Sequence, residues 1–249
     1  MPMTALALCV LALLQAQDRP PKVLFYADPQ GSDNTIIRRR KPDEPSLAEK
    51  HFVEATKGAF VVTATQDAAE VTREKLKNYD ALVMFTAINP PADREAIVDW
   101  VKSGGAFTGI HSTANTFQGY APFGEMLGAC YESRPWRTRE KPLAKVRVKV
   151  EDTKHAATKH LGDAFEIEDD LYLFRNWDRS KVNVLLSMDA ASLDMTKVKR
   201  KDPDMAIAWT KTHGKGRVFY TALGDAEHVW KDARYRTHLV EGVKWTMGK

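Results

Sequence analysis

The sequence has few cysteines and no pair of residues at the fixed spacing of a metal-binding motif. Two of its 249 residues are cysteine, Cys9 in an N-terminal apolar run and Cys130 in the body of the chain. If the apolar run is removed, Cys130 has no partner for an internal disulfide, so stability must come from core packing. Neither CxxC nor HExxH occurs, and spacing rules therefore reveal no metal motif.

A strong excess of charge of one sign is also absent. The net charge is +4, with 37 Lys and Arg against 33 Asp and Glu, which is too small to indicate a nucleic-acid partner. With 43% hydrophobic and 28% charged residues, the chain can build a sizeable core and is not disordered throughout. Basic runs at 38–41 and 197–201 are typical of solvated loops, although the arginines at 38–40 could also attract an anionic substrate.

The longest uninterrupted apolar run covers residues 5–14. This run is too short to span a bilayer but suits the hydrophobic region of a secretory signal peptide, with cleavage after Ala16. The preceding residues carry no Lys or Arg, which is unusual for such a signal. We expect a signal peptide over 1–17, a single domain over 18–249, a periplasmic or secreted location and no membrane span after cleavage.

The stretch at 104–115, GGAFTGIHSTAN, is the centre of the predicted fold. Two glycines end a helix, residues 106–110 form a buried strand, and His111 follows the strand directly. Ser112 or Thr113 could cap a following helix. Because residues just past the carboxyl ends of parallel strands face the ligand crevice, we expect His111 at the mouth of a site.

The rest of the chain predicts an α/β fold. Apolar strands at 22–27, 59–65 and 81–85 alternate with helices at 46–57, 71–78 and from Asp93 onward, which indicates a flavodoxin-like parallel sheet flanked by helices. The second half changes character, because the strand at 145–150 alternates polar and apolar residues. Further strands at 171–174, 182–188, 205–210 and 217–223 predict an antiparallel β extension, and a final helix covers 232–247.

Several blocks resemble the trehalose-utilisation (ThuA-like) family. They are GGAFTGIHS at 104–112, FGEMLGA at 123–129, DDLY at 169–172, AIAW at 206–209 and GRVFYTALG at 216–224. The resemblance implies the fold of class I glutamine amidotransferases and a role in the catabolism of trehalose and related sugars, often beside oxidoreductases that form 3-keto sugars. It does not imply glutamine hydrolysis, because His111 occupies the corner that holds the nucleophilic cysteine in true amidotransferases.

Departures from the family pattern concern four polar positions. Relatives often have a histidine where this chain has Glu44, Arg134 and Asp225, and many have Glu where it has Asp170. If those histidines hold a metal in relatives, the site is weakened or rebuilt here.

We predict a catalytic constellation of His111, Asp170, Asp225 and His228. Imidazole beside carboxylates suits acid–base chemistry on a sugar, such as proton abstraction next to the carbonyl of an oxidised sugar or hydrolysis of a keto-glycoside. His111 would be the base and an Asp would orient it. The expected carbohydrate-binding residues are Asp28, Ser112, Asn115, Arg134, Trp136 and Tyr172.

Two other readings of these residues remain open. A divalent metal, most naturally Zn²⁺, could be held by His111, Asp170 and His228. Alternatively the chain is a non-catalytic carbohydrate-binding domain or pseudoenzyme, in which the departures mark lost chemistry. The expected partner is in each case a small-molecule carbohydrate, and a homo-oligomer is compatible with the sequence.

Overall fold

The computed structural model describes residues 19–29, 35–86, 90, 92–201 and 203–249. The expected signal peptide lies outside these residues. The strands within them are β1 Lys22–Asp28, β2 Val61–Thr65, β3 Ala81–Thr86, β4 Ala106–Ile110, β5 Cys130–Ser133, β6 Ala144–Val150, β7 Ala164–Asp169, β8 Leu173–Arg175, β9 Asn183–Met188, β10 Ala206–His213 and β11 Gly216–Thr221. The α-helices are α1 Leu47–Ala55, α2 Arg73–Leu76, α3 Arg94–Lys102, α4 Ala121–Leu127, α5 Glu227–Lys231 and α6 Ala233–Thr246.

Nine strands form one mixed sheet in the order β2-β1-β3-β4-β11-β10-β9-β6-β7. The pairs from β2 to β11 are parallel, and this half has the strand order of a flavodoxin-like sheet. The pairs from β11 to β7 are antiparallel. The predicted α/β fold with an antiparallel extension is therefore confirmed, and β11 is the strand at which the two halves meet.

Local sequence signals set the boundaries of the helices. Ser46 and Glu49 form a capping box at the start of α1, and Asp93 caps α3 through the Ala96 amide. Gly128 ends α4 in the left-handed region, with φ of 101°, a conformation that glycine adopts without a Cβ clash.

Two predicted elements differ from the structure. The helix expected at 71–78 covers only Arg73–Leu76, whereas the final helix expected at 232–247 is α6, with Asp232 as its N-cap. The strand expected at 171–174 is β8, which pairs with β5 in a separate two-stranded sheet. The main-sheet strand before it is β7, which was not predicted, because three of its six residues carry acidic side chains.

The core lies on both faces of the parallel strands, where every residue of β3 and β4 is buried. Aromatic side chains fill much of it, and Phe25, Phe85 and Trp230 stack or meet edge to face between the sheet and α5. In the part of the chain that the structure describes, no helix has the length and apolar character needed to cross a membrane.

Candidate active site

His111 lies at the corner where β4 gives way to a 3₁₀ turn over His111–Asn115. Its φ of 42° is uncommon for a residue with a side chain, and the Tyr220 hydroxyl fixes the corner by donating to the His111 carbonyl at 2.7 Å. The ring nitrogen Nδ1 lies 2.7 Å from the Ala222 carbonyl. Because a carbonyl only accepts, Nδ1 carries a proton and Nε2 is the nitrogen available for chemistry.

The sequence predicts His111 at the mouth of an open site, but in the structure the imidazole is buried. His111 is 1% exposed, and the ring of Tyr172 covers it with 4.2 Å between ring centroids. The expected helix cap is also absent, since neither Ser112 nor Thr113 caps the turn that follows. Thr113 instead donates to the Met84 carbonyl at 2.7 Å, which ties the turn to β3.

Two carboxylates from the second half of the chain surround Nε2. Asp225 Oδ1 lies 3.3 Å from it and Asp170 Oδ2 4.0 Å. Asp170 follows β7 and Asp225 follows β11. The chain of antiparallel pairings makes both strands run in the direction of β4, so their carboxyl ends reach the same edge of the sheet as His111.

Two arginines complete the cluster. Arg134 Nη1 donates to Asp170 Oδ2 at 3.0 Å, and Arg137 Nη1 donates to the same oxygen at 2.9 Å. Arg137 Nη1 also reaches Asp225 Oδ2 at 3.5 Å. The Asp170 side chain is fully buried, so these charge-assisted hydrogen bonds supply part of the solvation that water cannot.

The charges of the cluster depend on one another. Burial opposes protonation of His111, but the carboxylate of Asp225, with those of Asp169 and Asp170, raises its pKa to about 9. Burial also disfavours the Asp225 carboxylate, yet the His111 imidazolium and the two arginines hold the pKa of Asp225 below its usual value. At neutral pH the pair is therefore an imidazolium beside a carboxylate.

Asp225 faces a cavity of about 560 Å³, which we call the Asp225 cavity. The Asp225 side chain is 15% exposed and that of Arg137 19%. The other lining residues are Thr35, Ile36, Leu47, Pro142, Leu143, Ala226, Glu227, His228 and Lys231. A neighbouring cavity of about 570 Å³ shares Pro142 and Leu143 and includes Trp136. Among the groups of the cluster, Asp225 and Arg137 line this cavity. The Arg134 side chain is 38% exposed but is not among the lining residues, and His111 is buried.

His228 does not join the carboxylates around His111. It lies on α5, lines the Asp225 cavity, and its Nε2 is 2.8 Å from the Glu168 carbonyl. His228 therefore lies outside the cluster, although the sequence suggested it as a metal ligand together with His111 and Asp170. In the described part of the chain the three groups whose ligand atoms lie within 4.8 Å of one another are His111, Asp170 and Asp225.

The remaining predicted binding residues are placed as follows. Asp28 is buried at the end of β1 and accepts a hydrogen bond from Tyr26 at 3.1 Å. Asn115 accepts a hydrogen bond from Gln118. Trp136 is buried and its indole N–H donates to the Asp194 carbonyl at 3.1 Å, so the indole ring is not presented flat to a ligand.

A divalent ion at this cluster would meet strong competition. Two guanidinium groups and the imidazolium already pair with the carboxylates of Asp170 and Asp225. To bind a metal, His111 would have to lose its Nε2 proton, and the ion would lie beside the two guanidinium groups that contact Asp170. The donor set alone would suit Zn²⁺, but its surroundings are already rich in cations.

Asp169 and Arg137 were not predicted as site residues. Asp169 is fully buried on the inner face of β7, and burial raises its pKa to about 7. The signal was an acidic residue at an inward position of an alternating strand, two residues after the buried Ile167. Arg137 carries no local signal, because its ion pairs are with Asp170 and Asp225, which follow strands distant in sequence.

The chain is similar to one protein family and to several solved structures. The family model described as "ThuA: Trehalose utilisation" matches residues 33–246. A ThuA-like protein from Bacteroides uniformis has 25% identity and a TM-score of 0.73, with 92% of each chain covered. A ThuA-like protein from Parabacteroides merdae has 14% identity and a TM-score of 0.69, covering 93% of this chain and 91% of that one. No curated protein matches.

A cold-adapted β-galactosidase from Rahnella sp. R3 contains the same fold. It has 16% identity and a TM-score of 0.57, and the match covers 96% of this chain but only 33% of the galactosidase. At that identity the likeness concerns the fold alone, and the chain corresponds to one domain of the larger enzyme.

Proposed function

The chain belongs to the trehalose-utilisation (ThuA) family, and from that premise we propose that it performs acid–base chemistry on an oxidised sugar, such as a keto-glycoside. The observation that carries the proposal is the pair formed by Asp225 and His111 at the wall of the Asp225 cavity. An ionised carboxylate held against a buried imidazolium is suited to take a proton from a bound substrate.

Asp225 is the base in this proposal, and His111 is its partner. A hydrogen on the carbon next to a ketone is the acidic one, and its removal leaves an enolate. Asp225 faces the cavity, whereas His111 is buried and does not line it. The imidazolium keeps Asp225 ionised and oriented before the proton arrives. Because both of its ring nitrogens already carry protons, the abstracted proton stays on Asp225 until it passes to product or water. This reverses the roles expected from the sequence, in which His111 was the base.

Arg137 and His228 are the other two residues of the proposed mechanism. The Arg137 guanidinium lines the cavity beside Asp225 and can stabilise the enolate oxygen as its negative charge develops. In a keto-glycoside the electrons of the enolate then expel the glycosidic oxygen on the adjoining carbon. That oxygen must gain a proton, and His228 on the cavity wall is placed to provide it.

Two buried polar atoms near the cluster are left for a ligand or water. Asp170 Oδ1 and Ser112 Oγ have no hydrogen-bond partner within the described residues. Buried acceptors and hydroxyls are nearly always paired in folded proteins. Since neither residue lines the Asp225 cavity, a buried water molecule, which both donates and accepts, is the partner that suits them.

Glutamine hydrolysis is not part of the proposal. The strand–turn corner presents His111, and the thiol of Cys130 lies in β5, where burial raises its pKa. A thiol nucleophile needs the opposite shift, because the thiolate is the reactive form.

We also propose export, on the apolar run at 5–14 and the cleavage pattern that ends at Ala16. N-terminal sequencing of the protein recovered from the periplasm or medium of an expressing bacterium should begin at Gln17. A protein that retains Met1 and stays in the cytosolic fraction would contradict it.

The test of the activity uses purified protein with 3-keto-trehalose and with 3-keto-glucosides, following sugar release or isomerisation by NMR. Asp225→Asn should lower turnover by about a hundredfold or more, the usual effect of removing a general base. Glu166→Gln is the matched control, because Glu166 is an exposed carboxylate on β7. Saturable binding of these sugars without turnover in the wild-type protein would instead indicate a carbohydrate-binding domain.

A further inference from the structure

We propose that Asp169 is the positioning residue of this site: its buried carboxylate fixes the loop that carries Asp225 and the turn that carries Asp170 around His111. The inference rests on the proposed function, since it concerns how the acid–base cluster is held. Asp169 itself is not among the residues that line the Asp225 cavity, so it acts through its neighbours.

The Asp169 carboxylate accepts four backbone hydrogen bonds. Oδ2 accepts from the Gly224 amide at 2.7 Å. Oδ1 accepts from the amides of Asp170 at 3.0 Å, Asp225 at 3.1 Å and Ala226 at 3.1 Å. The residue is 0% exposed, so water cannot replace these bonds. One side chain thus holds the amides of both catalytic carboxylates.

The loop after β11 is shaped to receive this carboxylate. Gly224 has φ of 114°, which turns consecutive N–H groups toward one point and forms an anion-binding concavity. A Cβ at Gly224 would lie 2.4 Å from the Tyr235 hydroxyl, so only glycine fits. Ala226, the N-cap of α5, has no side-chain cap of its own, and its amide donates to Asp169 instead.

A carboxylate is required because the four donors approach both oxygens. An asparagine has one acceptor oxygen and an NH₂ group, so its NH₂ would face an amide N–H at either Gly224 or the other three positions. The loop would then have to shift. Asp225 lies next to Gly224, and its contact with His111 Nε2 is only 3.3 Å long, so a shift of the loop changes that contact first.

The expected kinetic signature separates positioning from substrate binding. A displacement of a catalytic group by about 1 Å can lower a rate by about a hundredfold. Since the Asp169 side chain does not line the cavity and contacts only backbone amides of its neighbours, Asp169→Asn should lower kcat by about a hundredfold and change KM by less than about threefold. Glu166→Gln, the exposed carboxylate on the same strand, should change neither.

The experiment compares wild type, Asp169→Asn, Asp169→Glu and Glu166→Gln, with 3-keto-trehalose as the substrate. Asp169→Glu keeps the charge but moves the carboxylate by one methylene, so the same loss of kcat is expected. A second readout needs no substrate: the NMR resonance of the His111 Nε2 proton, which reports its hydrogen bond to Asp225. It should move in both Asp169 variants and stay in place in Glu166→Gln.

The outcomes distinguish this inference from the proposed function. If the wild-type protein turns over no keto sugar, the proposed function fails, and the Nε2 resonance alone decides the role of Asp169. Folded Asp169 variants with an unchanged resonance and unchanged kcat would overturn the inference. So would aggregation of both variants, since Asp169 would then support the whole fold and not the site.

Discussion

His111 should titrate far above neutrality, and Asp225 should be the main cause. The Nε2–Oδ1 distance is 3.3 Å, and two unit charges at that distance interact by about 5 kcal/mol at an effective dielectric constant of 20. One pKa unit corresponds to about 1.4 kcal/mol, so the carboxylate alone raises the pKa by roughly three to four units. Burial opposes it, and the pKa settles at about 9.

Asp225→Asn removes that charge with little change of shape. Burial then dominates, and the pKa of His111 should fall below the 6.5 of an unperturbed imidazole. Two-dimensional ¹H–¹³C NMR of the imidazole Cε1–H groups resolves the titration, because the chain has only seven histidines. The His111→Asn spectrum identifies the resonance. A wild-type His111 that titrates near 6.5, or one that still titrates above 8 in Asp225→Asn, would refute the charge pair at the centre of the site.

Four further predictions concern the pH dependence of stability, one buried ion pair and the metal dependence of turnover. The pKa of His111 is about 9 in the folded state against 6.5 when unfolded, so its stabilising effect is complete below pH 6.5 and disappears as the pH rises through 9; denaturant unfolding at pH 6 and pH 10 should show a larger decrease for wild type than for His111→Gln. Burial lowers the pKa of His238 to about 4. The stabilising effect of its neutral ring is therefore complete above pH 6.5 and is lost as the pH falls toward 4, and the decrease in the free energy of unfolding over this range should be smaller in His238→Gln. Arg39 pairs with the fully buried Glu49, and Arg39→Leu should therefore lower the free energy of unfolding by about 3 kcal/mol without changing kcat, whereas a change below about 0.5 kcal/mol would contradict the pair's role. Because the carboxylates of Asp170 and Asp225 are already paired with cations, dialysis against EDTA should leave turnover of a keto-glucoside unchanged, and a loss that Zn²⁺ restores would indicate a metal site.

The parallel half of the fold could be predicted from the sequence because its signals are local. Continuous apolar runs mark buried strands, and capping residues such as Ser46 and Asp93 mark the helices between them. The sequence predicts the antiparallel half less well. β7 alternates acidic and apolar residues. The chain leaves the main sheet after Asp169 and Asp170, and β8 then pairs with β5, which is distant in sequence.

The candidate site could be predicted only in part. Placing His111 past the end of β4, and Asp170 and Asp225 at the same edge, required only the topology of the sheet. The burial of His111 could not be predicted, because Tyr172 covers it from a segment more than fifty residues away in sequence. The roles of His111 and Asp225 in proton transfer could not be predicted either. Three carboxylates raise the pKa of His111, and no local motif encodes their distances from the ring.

Deuterium exchange at the substrate tests the central claim most directly. The protein is incubated in D₂O with a 3-keto-glucoside, and incorporation at the carbon next to the carbonyl is followed by NMR. The account predicts catalysed exchange by the wild-type protein and by Glu166→Gln, with a loss of about a hundredfold or more in Asp225→Asn. Exchange that proceeds equally fast in Asp225→Asn, or turnover of the sugar with no exchange at that carbon, would contradict it.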